Sequence, residues 1–440
     1  MKKAVALIMA GLMTLSMAAC SSNSAGSSAA TNASSKSAGT TNIVFWHTWT
    51  GSEADALQKV IDDYNKSQTE IHVETLSSQT EDKMLTALTG GSGPDVVYTA
   101  DTTVSKWAQA GMLAPIDDYI KSGKIDTKNI YDSVYKLGAY DGIQYGMPYT
   151  MDSYMLFYNK DILKEVGAQP PKTLEEMAEI SKKVAKKDAS GNYVRLGYVP
   201  DYPWIDRIEI PYLFGADFYD FKTDKITCTT PEFKNAMNYK AEYYTDYGIP
   251  QVTKFKSGFG TYASAENPFF KGQVAFAIEG EWFETFIKQY ASKDFNWGTV
   301  TVPVTASKPE IAGSGRLQAG MLSVSTKSKN TEAAFKLINY LTSDDAYIKF
   351  CASKGSLPTT YTALKSEKLT QQAPQLKPFI ESVLKGKAKA FPAIPFSNEY
   401  SNEQGLAEQA IYSGEKKVDK AMEDLSAKLQ SFADEWKSSR

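Results

Sequence analysis

Three indole rings and a few charged side chains are the groups in this chain best equipped for chemistry. Trp49, Trp204 and Trp282 offer flat apolar faces, and His47, Gln79, Asp101, Asp152 and Arg316 offer polar ends. Aromatic faces stack on flat or ring-shaped ligands, and planar charged groups hydrogen-bond in fixed directions. That combination describes recognition more than covalent chemistry. His47 and His72 are the only histidines, and His72 falls in an alternating strand pattern, so no Ser-His-Asp order stands out. Two histidines, with Cys228 and Cys351 as the cysteines beyond the N-terminal region, make a catalytic zinc site improbable. A glycosidase needs two carboxylates about 5–10 Å apart across the scissile bond. Glu279, Glu281 and Glu284 cluster, but the last two, three residues apart, read as solvated helix acids. The run from Gly313 to Gly320 lacks the Lys and the spacing of a phosphate-binding loop, and no cofactor is expected.

The elements that must position these groups alternate in type. Residues 43–46 read as a strand, and Ser52 is the expected cap of a helix with Leu57, Val60, Ile61 and Tyr64 at helical spacing. A second strand at 71–76, a helix at 81–88, a third strand at 96–98 and a helix at 102–110 follow. This rhythm predicts an α/β lobe with a parallel sheet flanked by helices. Ligands bind beyond the carboxyl ends of such strands, which places His47, Thr48, Trp49, Gln79 and Asp101 at one mouth. Trp49 could instead cap the core, and Asp101 could be the cap of the next helix.

Residues 145–160 are rich in β-formers and carry one carboxylate, Asp152, which must be solvated, paired or used on a ligand. Here the chain is expected to pass from one lobe to another. Thr173 to Glu176 is a capping box opening a helix, and Thr230-Pro231 starts one that runs to Tyr247, ended by Gly248 and Pro250. A buried strand at 272–278 leads through Glu279 and Glu281 into a helix whose core stripe is Phe283, Phe286, Ile287 and Tyr290. Trp282 lies about 90° off that stripe, at ~100° per residue, which suits a ligand better than the core. Gly313 to Gly320, including Gly315 and Arg316, reads as a glycine-rich loop returning between lobes before a strand at 321–325. Residues 392–400, ending in Tyr400, read as an aromatic loop, and the stripe from Val418 to Trp436 as a final helix.

The 440 residues suffice for two or three domains, each with a core. With 48 basic and 51 acidic residues, and no basic run of five, nucleic acid is not an expected partner. Met1-Lys2-Lys3 followed by an apolar run reads as an export signal, too short to span a membrane. Small residues before Cys20 resemble a bacterial lipobox, in which the cysteine becomes the lipid-modified first residue. Met17 stands where leucine is usual. Residues 21–41 are nearly all Ser, Ala, Gly, Thr and Asn, the composition of a flexible tether. Cys228 and Cys351 read as small core residues, with a disulfide between them as the alternative.

The chain as a whole resembles the extracellular solute-binding proteins of ATP-driven sugar importers, the family of the maltose-binding protein. The resemblance rests on Phe45-Trp46 and the following loop, Gly93-Pro94-Asp95-Val96-Val97-Tyr98, and Met147-Pro148 leading to Tyr158-Asn159-Lys160-Asp161. Pro171 to Glu176, Lys271-Gly272 to Trp282, and Ser328 to Ala334 add to it, in order and spacing. It implies a two-lobe type II binding-protein fold. The expected division is a lipoprotein signal at 1–20, a tether at 21–41, lobe 1 at 42–148 plus about 317–358, and lobe 2 at 149–316 plus about 359–440. It further implies a membrane-anchored, monomeric protein on the extracytoplasmic face of a bacterial cell. Such a protein holds a carbohydrate, an oligosaccharide, in the cleft and delivers it to an ABC permease. Carried over by position, the cleft contacts fall on the loop after Trp46, on Asp101, Asp152, Trp204 and Trp282, and near Gly315 and Tyr400. Thr99 stands where some sugar binders carry an aromatic. Two other readings stay open: a polyamine or other non-sugar solute on the same fold, suited by Asp101, Asp152 and the tryptophans, and a carbohydrate-processing enzyme.

Overall fold

The protein is described by a computed structural model covering residues 39–123, 125–202 and 207–438. Cys20, the signal stretch, nearly all of the tether and Trp204 lie outside these residues. The first strand, β1, spans Thr41–Trp46 and so takes in the last tether residue; Ile43 and Phe45 point into the core. Helix α1 (Gly51–Ser67) begins one residue before Ser52, at a glycine with φ +52°, and its cap position is Thr50. Strand β2 (Ile71–Leu76), helix α2 (Glu81–Gly90), strand β3 (Val96–Ala100) and helix α3 (Asp101–Gln109) complete the expected alternation. Strand β1 lies between β2 and β3, parallel to both.

Two long strands organise the rest. A crossing strand, Gly146–Asn159, runs antiparallel to a return strand, Arg316–Val324, which also pairs with β3. Residues Gly146 to Ser153 of the crossing strand face the return strand, from Ser323 to Leu317. From Tyr154 to Asn159 its neighbours change to the strands Phe276–Gly280 and Trp297–Thr301, both antiparallel. One eight-stranded sheet thus has its first part built on β1–β3 and its second on these two later strands. Residues 152–154 are where one set of partners gives way to the other.

The return segment corrects the expected loop at 313–320. It is extended from Arg316 onward; Gly313 turns at φ +92°, while Gly315 and Gly320 serve close approach. A Cβ on Gly320 would lie 1.8 Å from the Tyr98 hydroxyl. The helix expected to reach Tyr247 stops two residues short of it, and a separate helix follows. The first spans Pro231–Thr245, Gly248 turns at φ +85°, and Ile249–Lys256 forms the second. Pro250 opens that helix, in a first turn where its missing N–H costs nothing. The capping box holds in part: Thr173 Oγ1 accepts from Glu176 N at 3.1 Å, while Glu176 Oε2 accepts from Lys172 N at 2.7 Å. Cys228 and Cys351 are buried, free thiols, which removes the disulfide alternative.

The core is strongly aromatic. In the first part of the sheet Trp49, Tyr98, Tyr149 and Phe350 pack together, Trp49 and Tyr98 with ring centroids 3.9 Å apart. In the second part Phe157 meets Phe283 edge-on, and Phe218 contacts Phe233, Phe391 and Tyr400. Each fully buried ring of this kind is worth about 1.5–3 kcal/mol over its exposed state. These groups fill the core beside each set of strands, with the crossing strands as their common backbone.

Candidate ligand-binding site

The loop after β1 turns inward. His47 is buried, and no described residue partners its Nδ1. Desolvation lowers its pKa to about 4, so the ring is neutral at neutral pH. Trp49 is 6% exposed and is covered by Phe350, whose ring centroid lies 5.1 Å away. Of the two readings open for it, the structure shows the core one. Gln79 is half-buried; its backbone N–H donates to His47 O at 3.0 Å and its amide to Ser77 O at 2.7 Å.

Asp101 is the first residue of α3, after Ala100 at the cap position. Its Oδ1 accepts from Thr102 N at 2.8 Å and its Oδ2 from Ala319 N at 3.1 Å, tying α3 to the return strand. Burial pushes its carboxyl up to about 6, with Arg316 opposing and Asp152 adding to the shift.

The half-buried groups gather where the strands change partners. Asp152 lies opposite Gln318 in the ladder and accepts from Ser356 Oγ at 3.3 Å. Side chains alternate along a strand, so Asp152 and Tyr154 share a face, as do Arg316 and Gln318 on the return strand. Arg316 Nη2 donates to Gln318 Oε1 at 2.8 Å, and the Tyr154 hydroxyl donates to the same oxygen at 3.4 Å. The Arg316 guanidinium carbon is 5.4 Å from the centre of the Tyr154 ring. Trp282 meets that ring edge-on, with centroids 5.8 Å apart and planes at 89°.

Trp282 is half-buried at the head of the helix Phe283–Tyr290, off the buried stripe as its spacing predicts. Its indole lies across Gly280, where a Cβ would fall 2.1 Å from the ring. Its Nε1–H donates to the Tyr262 hydroxyl at 3.0 Å, and Tyr262 donates to Glu279 Oε2 at 2.7 Å. Gly315, at φ +155°, passes against a buried carboxylate: a Cβ there would be 3.0 Å from Glu209 Oε1, and Glu209 Oε2 accepts from Arg316 N at 2.6 Å. So Gly315 lets the return strand approach Glu209.

Tyr400 departs from expectation. It belongs to the helix Ser397–Tyr412, not a loop, is fully buried, and donates to Phe218 O at 3.3 Å. Its ring is core, and it offers no face to a ligand here. Glu281 also corrects the sequence reading, being 1% exposed instead of solvated. It follows directly on the strand Phe276–Gly280, so the antiparallel register carries it towards Ser153, whose N–H it accepts at 3.4 Å. Glu284 departs likewise: it is half-buried, its side chain 19% exposed and paired with Lys288 at 2.7 Å. The structure therefore brings together Asp101, Asp152, Trp282 and Arg316, and adds Tyr154, Tyr262, Glu209, Glu279, Glu281 and Gln318. For Tyr154, Gln318, Glu279 and Glu281 the signal was positional, on a crossing strand or at the end of one paired to it; Tyr262, in an irregular stretch, and Glu209, at the start of a short helix, carried no such signal. Among the described residues no group of acidic, histidine or cysteine side chains is arranged to hold a metal, and no helix is long and apolar enough to cross a membrane.

Residues 59–378 match the family profile described as bacterial extracellular solute-binding protein. The chain belongs to that family. Among relatives of this solute-binding protein, the Maltotriose-binding protein of Pyrococcus abyssi (strain GE5 / Orsay) is 24% identical over 343 residues, 77% of this chain and 69% of its own length. The Multiple sugar-binding protein of Streptococcus mutans serotype c is 26% identical over 340 residues, 74% of this chain and 77% of its own. Among solved structures, CpMnBP1 with mannotriose bound superposes with a TM-score of 0.77 at 24% identity, covering 88% of this chain and 99% of its own. The sugar-binding protein MalE from Xanthomonas citri gives 0.74 at 24% identity, covering 90% and 98%. The architecture is the type II binding-protein fold, a mixed sheet flanked by helices.

Proposed function

We propose that this solute-binding protein captures a neutral oligosaccharide between its lobes and delivers it to the membrane subunits of an ABC importer. The observation that carries this reading is the pairing of Trp282 with Tyr154. Two half-buried rings at right angles, one on the crossing strand and one at a second-lobe helix head, stand beside Asp152 and Arg316. A pyranose presents C–H patches for such rings and hydroxyls for such charges. The sugars named for the relatives, maltotriose, mannotriose and multiple sugars, support the class. The lobes are proposed to divide as the sequence suggests, with the crossing and return strands as hinge. Ligand contacts to both lobes would favour closure, because a ligand held equally in open and closed forms shifts nothing. Anchoring through Cys20, with residues 21–41 as tether, would keep a monomer near the permease while leaving it reach.

The polyamine reading gains nothing from the acid-rich lining. Asp101, Glu209 and Glu279 already accept hydrogen bonds from Ala319 N, Arg316 N and Tyr262. They serve as internal acceptors and do not wait for a cationic cargo. An enzyme would need two carboxylates free to flank a bond, and Glu279 is held by Tyr262. The test is calorimetric titration, with intrinsic tryptophan fluorescence, against malto- and manno-oligosaccharides and against spermidine. Binding of an oligosaccharide that chromatography recovers intact supports the proposal. Binding of spermidine alone, or cleavage of the sugar, overturns it.

A further inference from the structure

Glu281 belongs to no contact set inferred from the sequence, yet it occupies the junction of the lobes. It sits just beyond the strand Phe276–Gly280, with Oε2 accepting from Ser153 N at 3.4 Å on the crossing strand. Its Oε1 meets no N–H or O–H donor among the described residues. The acid beside it is Asp152, one residue before Ser153 on the crossing strand, and burial, reinforced by that negative charge, raises the Glu281 pKa. Ionised carboxylates are acceptors only, so a buried carboxyl with an unpartnered oxygen beside a second acid is best satisfied when one of the two carries a proton. Glu281 is the deeper of the two, and Asp152 has Ser356 Oγ at 3.3 Å to support its charge.

The groups facing the pair come from five elements, of which β3 contributes Tyr98 and α3 contributes Asp101, both within reach of the Asp152 charge. The crossing strand contributes Asp152 itself and the Ser153 N–H. The helix Asp344–Lys354 contributes the Lys354 ammonium and the Cys351 thiol, and Ser356 follows it. Helix α1 contributes Glu53, which holds Lys354 at 3.1 Å, so that cation is already engaged. Burial, and then the Asp152 charge, keep the Glu281 carboxyl well above the usual carboxylate range, with Lys354 opposing.

We propose that Glu281 is a positioning residue of the sugar site: a neutral acid that donates its proton to Asp152, holds that carboxylate at the lobe junction, and makes ligand affinity depend on the shared proton. The proposal rests on the sugar-capture reading above. With the proton present, Asp152 is oriented with its remaining lone pairs free for ligand hydroxyls. With the proton lost, two like charges abut across the two lobes and oppose closure.

The experiment measures Kd for the oligosaccharide identified by titration from about pH 5 to about pH 10 in wild type, Glu281→Gln and Glu281→Ala. Wild-type affinity is expected to weaken by about tenfold or more on the alkaline side as the shared proton leaves. Glu281→Gln, whose amide N–H replaces the acid proton, is expected to lack that alkaline limb and to bind more tightly than Glu281→Ala. Infrared spectroscopy of the ligand-free protein at neutral pH gives a second reading: a protonated carboxylic acid C=O band, absent in Glu281→Gln. No such band, or a wild-type pH profile identical to that of Glu281→Gln, overturns the shared proton. The band without any sugar binding leaves the proton in place and overturns the sugar reading, and the positioning role with it.

Discussion

The indole N–H of Trp282 donates to the Tyr262 hydroxyl at 3.0 Å, and that hydroxyl donates to the buried Glu279 at 2.7 Å. A half-exposed ring is therefore anchored at its polar edge to a fixed acceptor, with its orientation set before ligand arrives. Truncating such an anchor is costly at any interface. Trp282→Ala is expected to weaken oligosaccharide binding by about 2 kcal/mol or more, ~30-fold in Kd, by calorimetry. Tyr262→Phe leaves Glu279 short of a donor and the indole unanchored, and is expected to cost about 1–2 kcal/mol of affinity. Unchanged affinity in both variants would take Trp282 out of the site.

Gly280 fixes the same ring from beneath. Its missing side chain is the space into which the indole folds, and a Cβ would stand 2.1 Å from it. Gly280→Ala must displace the ring, since the strand backbone is pinned by pairing with Tyr154. The expected result is a loss of sugar affinity comparable to that of Tyr262→Phe, with shifted tryptophan emission in the ligand-free protein. Wild-type emission and affinity in this variant would refute the platform.

Trp49 is the contrasting case. Packed against Tyr98, Tyr149 and Phe350, it belongs to stability. Trp49→Phe is expected to lower the free energy of unfolding by about 1–3 kcal/mol in urea titrations. Its Kd for the sugar is expected to move by less than about threefold. A large affinity loss at unchanged stability would return Trp49 to the cleft.

The two tryptophans show how far the sequence could be read. Both follow a strand, and both were open to a ligand reading by position. Trp282 could be separated from its helix stripe by counting residues. Trp49 could not, because what covers it is Phe350, three hundred residues later in the chain. The crossing strand Gly146–Asn159 was legible because its residues 154–158 run as apolar and aromatic β-formers into a capping Asn159, which accepts from Asp161 N and Ile162 N. The return strand was legible only from Met321; its start at Arg316 was not, because glycine marks both turns and close approach, and only Tyr98 and Glu209 tell which applies at Gly320 and Gly315. Tyr400 was misplaced for a related reason. The cap of its helix, Phe396, makes no side-chain cap bond, so nothing local announced the helix start. Glu281 was hidden by spacing: three residues before Glu284 it suggested a helix face, while the strand register it extends turned it inward.

His47 and Asp101 lead to a prediction about pH in which two buried groups act in opposition. Burial pushes Asp101 up to about 6 from 3.8, and lowers His47 to about 4 from 6.5. An acid raised on folding binds its proton more tightly in the native chain. Its stabilising effect is complete below about pH 4 and is lost as pH rises through about 6. A base lowered on folding binds its proton more tightly in the unfolded chain. Its effect is complete above about pH 6.5 and is lost as pH falls through about 4. Each amounts to ~3 kcal/mol over nearly the same window, so in the wild type the two slopes largely cancel. Removing either unmasks the other. The unfolding free energy of Asp101→Asn is expected to rise with pH between about 4 and 6.5 relative to wild type, and that of His47→Gln to fall. Urea titrations at several pH values across that window measure both. Three parallel curves would show that neither group changes its proton affinity on folding, and the burial argued for this mouth of the sheet would have to be revised.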